Sequence, residues 1–246
     1  MARIVESPDA DYTVRDQLRM EAASRYFHWQ YTLAEHEIGQ RVLEVGCGVG
    51  NVTNLLVNRE LVVGIDVEPA CVKARFERFS EQTHIISEHM DVLAPAFPEL
   101  ARYGFDTVVC LNVLEHIGDD RKALEHMGSV LRPRGKIILL VPAFDFLYGP
   151  IDSNLGHHRR YSRRSVAELA QSLGFEVAVA HYMNVAGFFG WWLNAKLLRK
   201  SEQSDGQIRL FDSVIVPIQS RLEAFVHPPF GQSIFAVLRK PARREA

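Results

Sequence analysis

The chain has 246 residues, 47% of them hydrophobic and 24% charged, a balance that suits a globular core able to fold without disulfide or metal staples. Its formal net charge of -2 lacks the basic surplus of obligatory phosphate binding, so nucleic acid is not expected as a partner. The cysteines, Cys47, Cys71 and Cys110, show no metal-ligand spacing and the sequence opens without a secretory signal, so a reducing cytoplasm and no metal are expected. No apolar run approaches the ~20 residues of a membrane span; Val185 to Leu193 comes nearest.

Helical spacing of Leu18, Ala22, Tyr26, Trp29 and Leu33 predicts a first helix from about Val14 to Ile38, closed by Gly39. Strands and helices then alternate. Arg41–Val45 reads as a strand, Asn51–Asn58 as a helix, Leu61–Asp66 as a strand and Pro69–Phe79 as a helix. Thr83–Ser87, Phe105–Leu111, Lys136–Val141, Phe175–His181 and Ser233–Leu238 are further strands, with helices at Arg121–Leu131 and Ser165–Leu173. Apolar strands separated by helices predict a parallel sheet covered on both faces. The simplest division is one domain: a helical segment (1–39), a core (40–182), a helical insertion (183–231), then the last strand and a basic tail (232–246).

Gly46, Gly48 and Gly50 stand where the first strand turns into a helix. Glycine there reaches backbone angles closed to other residues and lets a ligand approach the main chain. The helix start adds unpaired amides and partial positive charge. Asp66 ends the next strand, about 20 residues on, where a carboxylate can accept ribose hydroxyls. A dehydrogenase fingerprint needs G-x-G-x-x-G, but the spacing here is G-x-G-x-G with Asn51 at the later place.

Val42 to Gly50 resembles the first motif of class I S-adenosylmethionine-dependent methyltransferases. Gly64-Ile65-Asp66-Val67, His89-Met90-Asp91-Val92, Phe105 to Ile117 and Leu131 to Lys136 resemble that family's later motifs in order. The resemblance covers about residues 40–182. It implies a Rossmann-like, doubly wound α/β fold, its seven-stranded sheet parallel except for an antiparallel last strand. It implies S-adenosylmethionine as cofactor, with S-adenosylhomocysteine as its product. By carry-over Asp66 binds the ribose, Asp91 the adenine amino group and Asn112 the methionine portion. Glu44 supports the loop and the cofactor's amino group, while Cys47, Val67 and Val92 complete the expected contacts with the three glycines. Asp91 also reads as a turn cap, and Asp106 as no more than the start of a strand.

The acceptor is expected to be a small molecule methylated on oxygen or nitrogen, with a glycan or lipid-linked intermediate as one guess. Residues 142–162, rich in aromatics, His and Arg, begin beyond a strand's carboxyl end, where ligands bind in open α/β sheets. His157 and His158 are the base candidates there, with His116 a third, more readily structural. Tyr26, Trp29, Tyr148, Arg160 and Tyr161 are the expected acceptor contacts. A scaffold reading stands beside the site reading, because Ser162 or Ser165 also suits a helix cap. Residues 187–200, apolar and aromatic with a basic end, read as sheet packing, a lid, an oligomer contact or a peripheral membrane surface. A silent cofactor-binding partner or sensor would carry the same motifs as an enzyme.

Overall fold

The computed structural model describes residues 17, 18, 20–194 and 205–242. Seven strands build one sheet: β1 (Arg41–Val45), β2 (Leu61–Asp66), β3 (Ile85–His89), β4 (Phe105–Leu111), β5 (Leu131–Pro142), β6 (Glu176–Met183) and β7 (Ser233–Arg239). Their order is β3-β2-β1-β4-β5-β7-β6. The first five strands pair in parallel, and β7 enters antiparallel between β5 and β6. The order reverses between β1 and β4, which opens a crevice beyond their carboxyl ends.

The helices are α1 (Ser24–Ala34), α2 (Thr53–Leu56), α3 (Pro69–Arg78), α4 (Asp120–Val130), α5 (Pro150–Asn154), α6 (Arg163–Ser172), α7 (Val185–Trp192), α8 (Asp205–Leu210) and α9 (Val216–Glu223). A π-helical turn at Phe211–Ile215 joins the last two. Successive strand residues point to opposite faces, so apolar runs feed two cores. Leu43, Val63, Val108, Ile137 and Ala236 pack with Leu124, Met127 and Ala170. Val42, Val62, Val109, Ile138 and Val237 pack on the other face with Trp29, Leu56 and Val216. No helix among the described residues is long and apolar enough to cross a membrane.

β2 and β4 fall where the sequence predicts them, whereas β3 starts two residues later and α2 is shorter than expected. The first helix ends at Ala34, so Gly39 is not its cap. A Cβ on Gly39 would sit 2.2 Å from an oxygen of Asp106. Asp106 does more than begin a strand, because its carboxylate accepts the N–H groups of Gln40 and Arg41 where the chain enters β1. That edge also pairs Arg132 with Asp106 and Lys136 with Glu37, far from the crevice. Val14, residues 195–200 and the tail arginines Arg243 and Arg244 lie outside the described residues.

Candidate active site

The donor half of the crevice is made of backbone. Gly46, Gly48 and Gly50 have φ of +70°, +49° and +90°, all in the left-handed region. A Cβ at Gly46 would lie 2.3 Å from Val113 beyond β4, and one at Gly50 would lie 2.5 Å from Phe79. The Asp66 carboxylate accepts the Gly48 N–H at 2.8 Å and the Glu68 N–H at 2.9 Å. A carboxylate offers about four lone-pair sites, so it retains capacity for two hydroxyls. Burial raises its pKa above the usual range, against those amide bonds. Val67 beside it is exposed. Asn112 leaves β4 at φ +55°, a conformation Asn tolerates better than most residues. These groups form a concave, glycine-walled edge that fits a nucleoside with a charged tail.

Glu44 points beneath the loop rather than into the crevice. It accepts from Thr53 at 2.5 Å and lies 3.7 Å from the Arg75 guanidinium. Burial raises its pKa against the pull of Arg75. Arg75 is fully buried and donates to Thr53, Ile86 and Ser87. Gly64 makes the room, since a Cβ there would come 2.4 Å from the guanidinium carbon. Above the loop, Gln17 accepts from Asn51 at 3.0 Å and Arg78 pairs with Glu21 at 2.9 Å, so the N-terminal segment overlies the glycines. Asp91 is exposed and accepts the Leu93 N–H, which makes it a turn cap that still faces solvent. The side chains of Val92 and Cys47 are buried, which leaves main chain as their route to a ligand.

The other half of the candidate site is made of side chains around Asp152, which is wholly buried on α5. Oδ1 accepts from His157 Nδ1 at 2.8 Å and Arg160 Nε at 2.8 Å, and Oδ2 accepts the Gly149 N–H at 3.0 Å and Trp191 Nε1 at 3.3 Å. Burial opposes its charge, but the His157 bond and the Arg160 charge outweigh that and hold its pKa below the ordinary value. An ionised carboxylate only accepts, so His157 Nδ1 carries a proton and points Nε2 away from Asp152.

His116 meets His157 edge to face, with ring centroids 4.6 Å apart. One side of His116 reaches solvent, yet desolvation and the neighbouring His157 lower its pKa to about 4. Glu115 is 1% exposed; burial raises its pKa to about 8, and its Oε2 has no hydrogen-bond partner. The His158 N–H donates to the Glu115 carbonyl at 2.8 Å and laces the segment after β5 to the end of β4. The His158 ring itself is exposed beside Gly118.

Several expected acceptor contacts are used by the scaffold. Tyr161 is buried and donates to Asp120 at 3.0 Å, and Ser162 caps α6. Arg160 is committed to Asp152, to the Ala143 carbonyl and to the Trp191 ring face. Trp29 is a core residue of the opposite face, with Tyr26 edge-on to it and to Phe211. The Tyr148 hydroxyl donates to the His157 carbonyl at 2.8 Å. Asp152, the hub of these bonds, is not among the residues expected from sequence. The signal was there, five residues before His157 and eight before Arg160.

The family profile described as a methyltransferase domain matches residues 15–179. A "Probable S-adenosylmethionine-dependent methyltransferase" of Mycolicibacterium smegmatis is 29% identical over 151 residues, 59% of this chain and 55% of that protein. A ubiquinone biosynthesis O-methyltransferase of Paracidovorax citrulli is 31% identical over 99 residues, 39% of this chain and 41% of that one. The chain thus spans about half the length of the curated relatives it matches. Among solved structures, the N-methyltransferase NodS of Bradyrhizobium japonicum WM9 in complex with S-adenosylhomocysteine superposes with TM-score 0.55, at 17% identity over 88% of this chain and 86% of that one. The cyclase SpnF superposes with TM-score 0.59, at 16% identity over 89% of this chain and 82% of that one. At those identities the likeness is one of fold. With a profile match over well more than half of its length, on the strand order and glycine loop described above, the chain belongs to the S-adenosylmethionine-dependent methyltransferase family.

Proposed function

We propose that the protein methylates a hydroxyl oxygen of an apolar acceptor presented at a membrane surface. The reading is carried by one juxtaposition: a polar cluster at the strand ends stands beside an apolar surface that is exposed among the described residues. Phe144, held at φ +64°, stacks on Tyr182 and meets Phe146 and Phe188, while Phe188 meets Phe189 and Phe230. Trp191 of the same helix reaches Asp152, so this aromatic wall is tied to the cluster that holds His157.

The insertion carries inverted patterning. From Asp205 to Glu223, Asp212, Gln219 and Glu223 face inward, while Leu210, Val214, Ile218 and Leu222 are each at least half exposed. Phe225 and Val226 continue that face, at 89% and 69% exposure. The buried polar groups have partners: Asp212 accepts the N–H groups of Arg25 and Tyr26 at the start of α1, and Glu223 those of Asn184 and Val185 at the start of α7. The outward row packs on nothing among the described residues, and exposed Arg209 and Arg221 flank it, which suits an anionic lipid surface. The relatives named ubiquinone biosynthesis O-methyltransferases agree with an oxygen acceptor.

S-adenosylmethionine supplies the methyl group on a positively charged sulfur that leaves as a neutral thioether. The chain's part is to hold the acceptor in line at about 3–3.5 Å, to exclude water, and to hold the hydroxyl oxygen at the Glu115–His116–His157 cluster. The test is to incubate the protein with labelled S-adenosylmethionine and a membrane extract of its source cell, then partition between solvents. Label in the organic phase is expected. Label confined to the aqueous phase refutes the acceptor class, and no transfer by a protein that binds the cofactor points to a silent binder.

A further inference from the structure

We infer that Glu115, His116 and His157 form a binding site for a divalent transition-metal cation that holds the acceptor oxygen. One ligand atom from each residue lies within 4.8 Å of the other two. A cation with ligands at about 2.1 Å brings any pair to within about 4.2 Å, so a small rotation of these side chains closes the site. One carboxylate and two imidazoles suit zinc, manganese or iron(II) better than the harder magnesium or calcium, and three protein ligands leave positions open for an exchangeable oxygen.

Two independent observations point to a ligand. Glu115 Oε2 is buried without a partner, and buried polar atoms are seldom left so. Asp152 holds His157 by Nδ1, leaving Nε2 as the nitrogen that can ligate. A carboxylate behind a ligating histidine is the usual support of a metal-bound imidazole. Glu115 and His116 share the short helical turn Leu114–His116 beyond β4, and the His158–Glu115 bond brings His157 to them. About forty residues separate the two halves in sequence, which is why the spacing does not show the set.

The role assigned to the cation rests on the oxygen-methylation reading; its binding does not. A hydroxyl bound to such a cation loses its proton near neutral pH more readily than a free one. The oxygen would then attack the methyl carbon as the carbon–sulfur bond breaks, and the released proton would pass to solvent. His116 and His157 would act as ligands, with Asp152 as a positioning residue.

The experiment strips the full chain with chelator, confirms S-adenosylhomocysteine binding by calorimetry, and titrates with Co2+ and Zn2+. One equivalent should bind, Co2+ giving visible absorption bands of a low-symmetry site. Glu115→Gln, His116→Asn and His157→Asn should each weaken binding at least tenfold, and Asp152→Asn about 10–100-fold, with unchanged affinity for S-adenosylhomocysteine as the check on folding. A wild-type protein that binds S-adenosylhomocysteine but takes up no metal overturns the proposal, as do ligand variants that retain wild-type metal affinity. Loss of S-adenosylhomocysteine binding in the wild type would instead overturn the donor assignment.

Discussion

At the ends of β1 and β2 the groups that face a ligand are amides, glycines and one carboxylate, all within about 20 residues of one another in sequence. Beyond β4 and β5 they are side chains drawn from three separate segments, 112–116, 142–161 and 185–192; one buried aspartate joins the last two, and the His158–Glu115 backbone bond ties in the first. A nucleoside and its charged tail are a fixed shape, which a short turn of backbone can match. An acceptor varies between enzymes, which suits the proposed acceptor half, drawn from positions where side chains change without disturbing the sheet. Buried charge braces both halves, Arg75 beneath the loop and Asp152 beneath the histidines.

That contrast breaks most visibly at Arg75. Arg75→Ala leaves Glu44 without its cationic neighbour and Thr53, Ile86 and Ser87 without their donor. A cost of about 3–5 kcal/mol is expected, seen as a fall in Tm of roughly 6–20 °C. A melt within two degrees of wild type would mean that the glycine loop stands without this brace.

Asp66→Ala tests the loop directly. It removes the acceptor of the Gly48 N–H together with the expected ribose contacts, and S-adenosylhomocysteine should bind about 100-fold more weakly, near 2.7 kcal/mol. The affinity also carries a pH signature. Binding requires the ionised carboxylate, and burial raises its pKa. Affinity present at neutral pH should therefore be lost on acidification at a pH above the ordinary aspartate value of about 4. Asp66→Asn should bind weakly at every pH, and a wild-type profile flat down to pH 4 would argue against the ribose role.

The two halves also differ in how far they could be read from sequence. β2 and β4 are apolar runs bounded by polar or glycine residues, so their limits follow from local pattern alone. β3 is an edge strand with a polar sequence, and pairing with β2 rather than pattern decides where it starts. The glycine loop, Asp66 and Asn112 stand in a fixed order that the chain cannot scramble. Tyr161 and Arg160 are as aromatic and basic as any acceptor contact, and only their partners Asp120 and Asp152 show that the scaffold uses them. Arg75 and Asp152 look like ordinary surface residues of helices until long-range packing buries them.

The smallest change in stability is expected where the change in behaviour is largest. Leu210, Leu222 and Phe225 face outward on the insertion and contribute little to the core. Replacing all three by serine should move the folding free energy by less than about 0.5 kcal/mol per site and leave S-adenosylhomocysteine affinity unchanged. Flotation with vesicles rich in anionic lipid should fall sharply, since the apolar row loses three of its largest exposed side chains while Arg209 and Arg221 remain. Arg209→Gln with Arg221→Gln should instead weaken flotation partially and make it insensitive to salt, because charge attracts the protein to the surface whereas apolar area retains it. If the serine variant floats as well as wild type, the outward row is not a lipid contact. The acceptor would then have to reach the histidine cluster from water, past the exposed rings of Phe146 and Phe189.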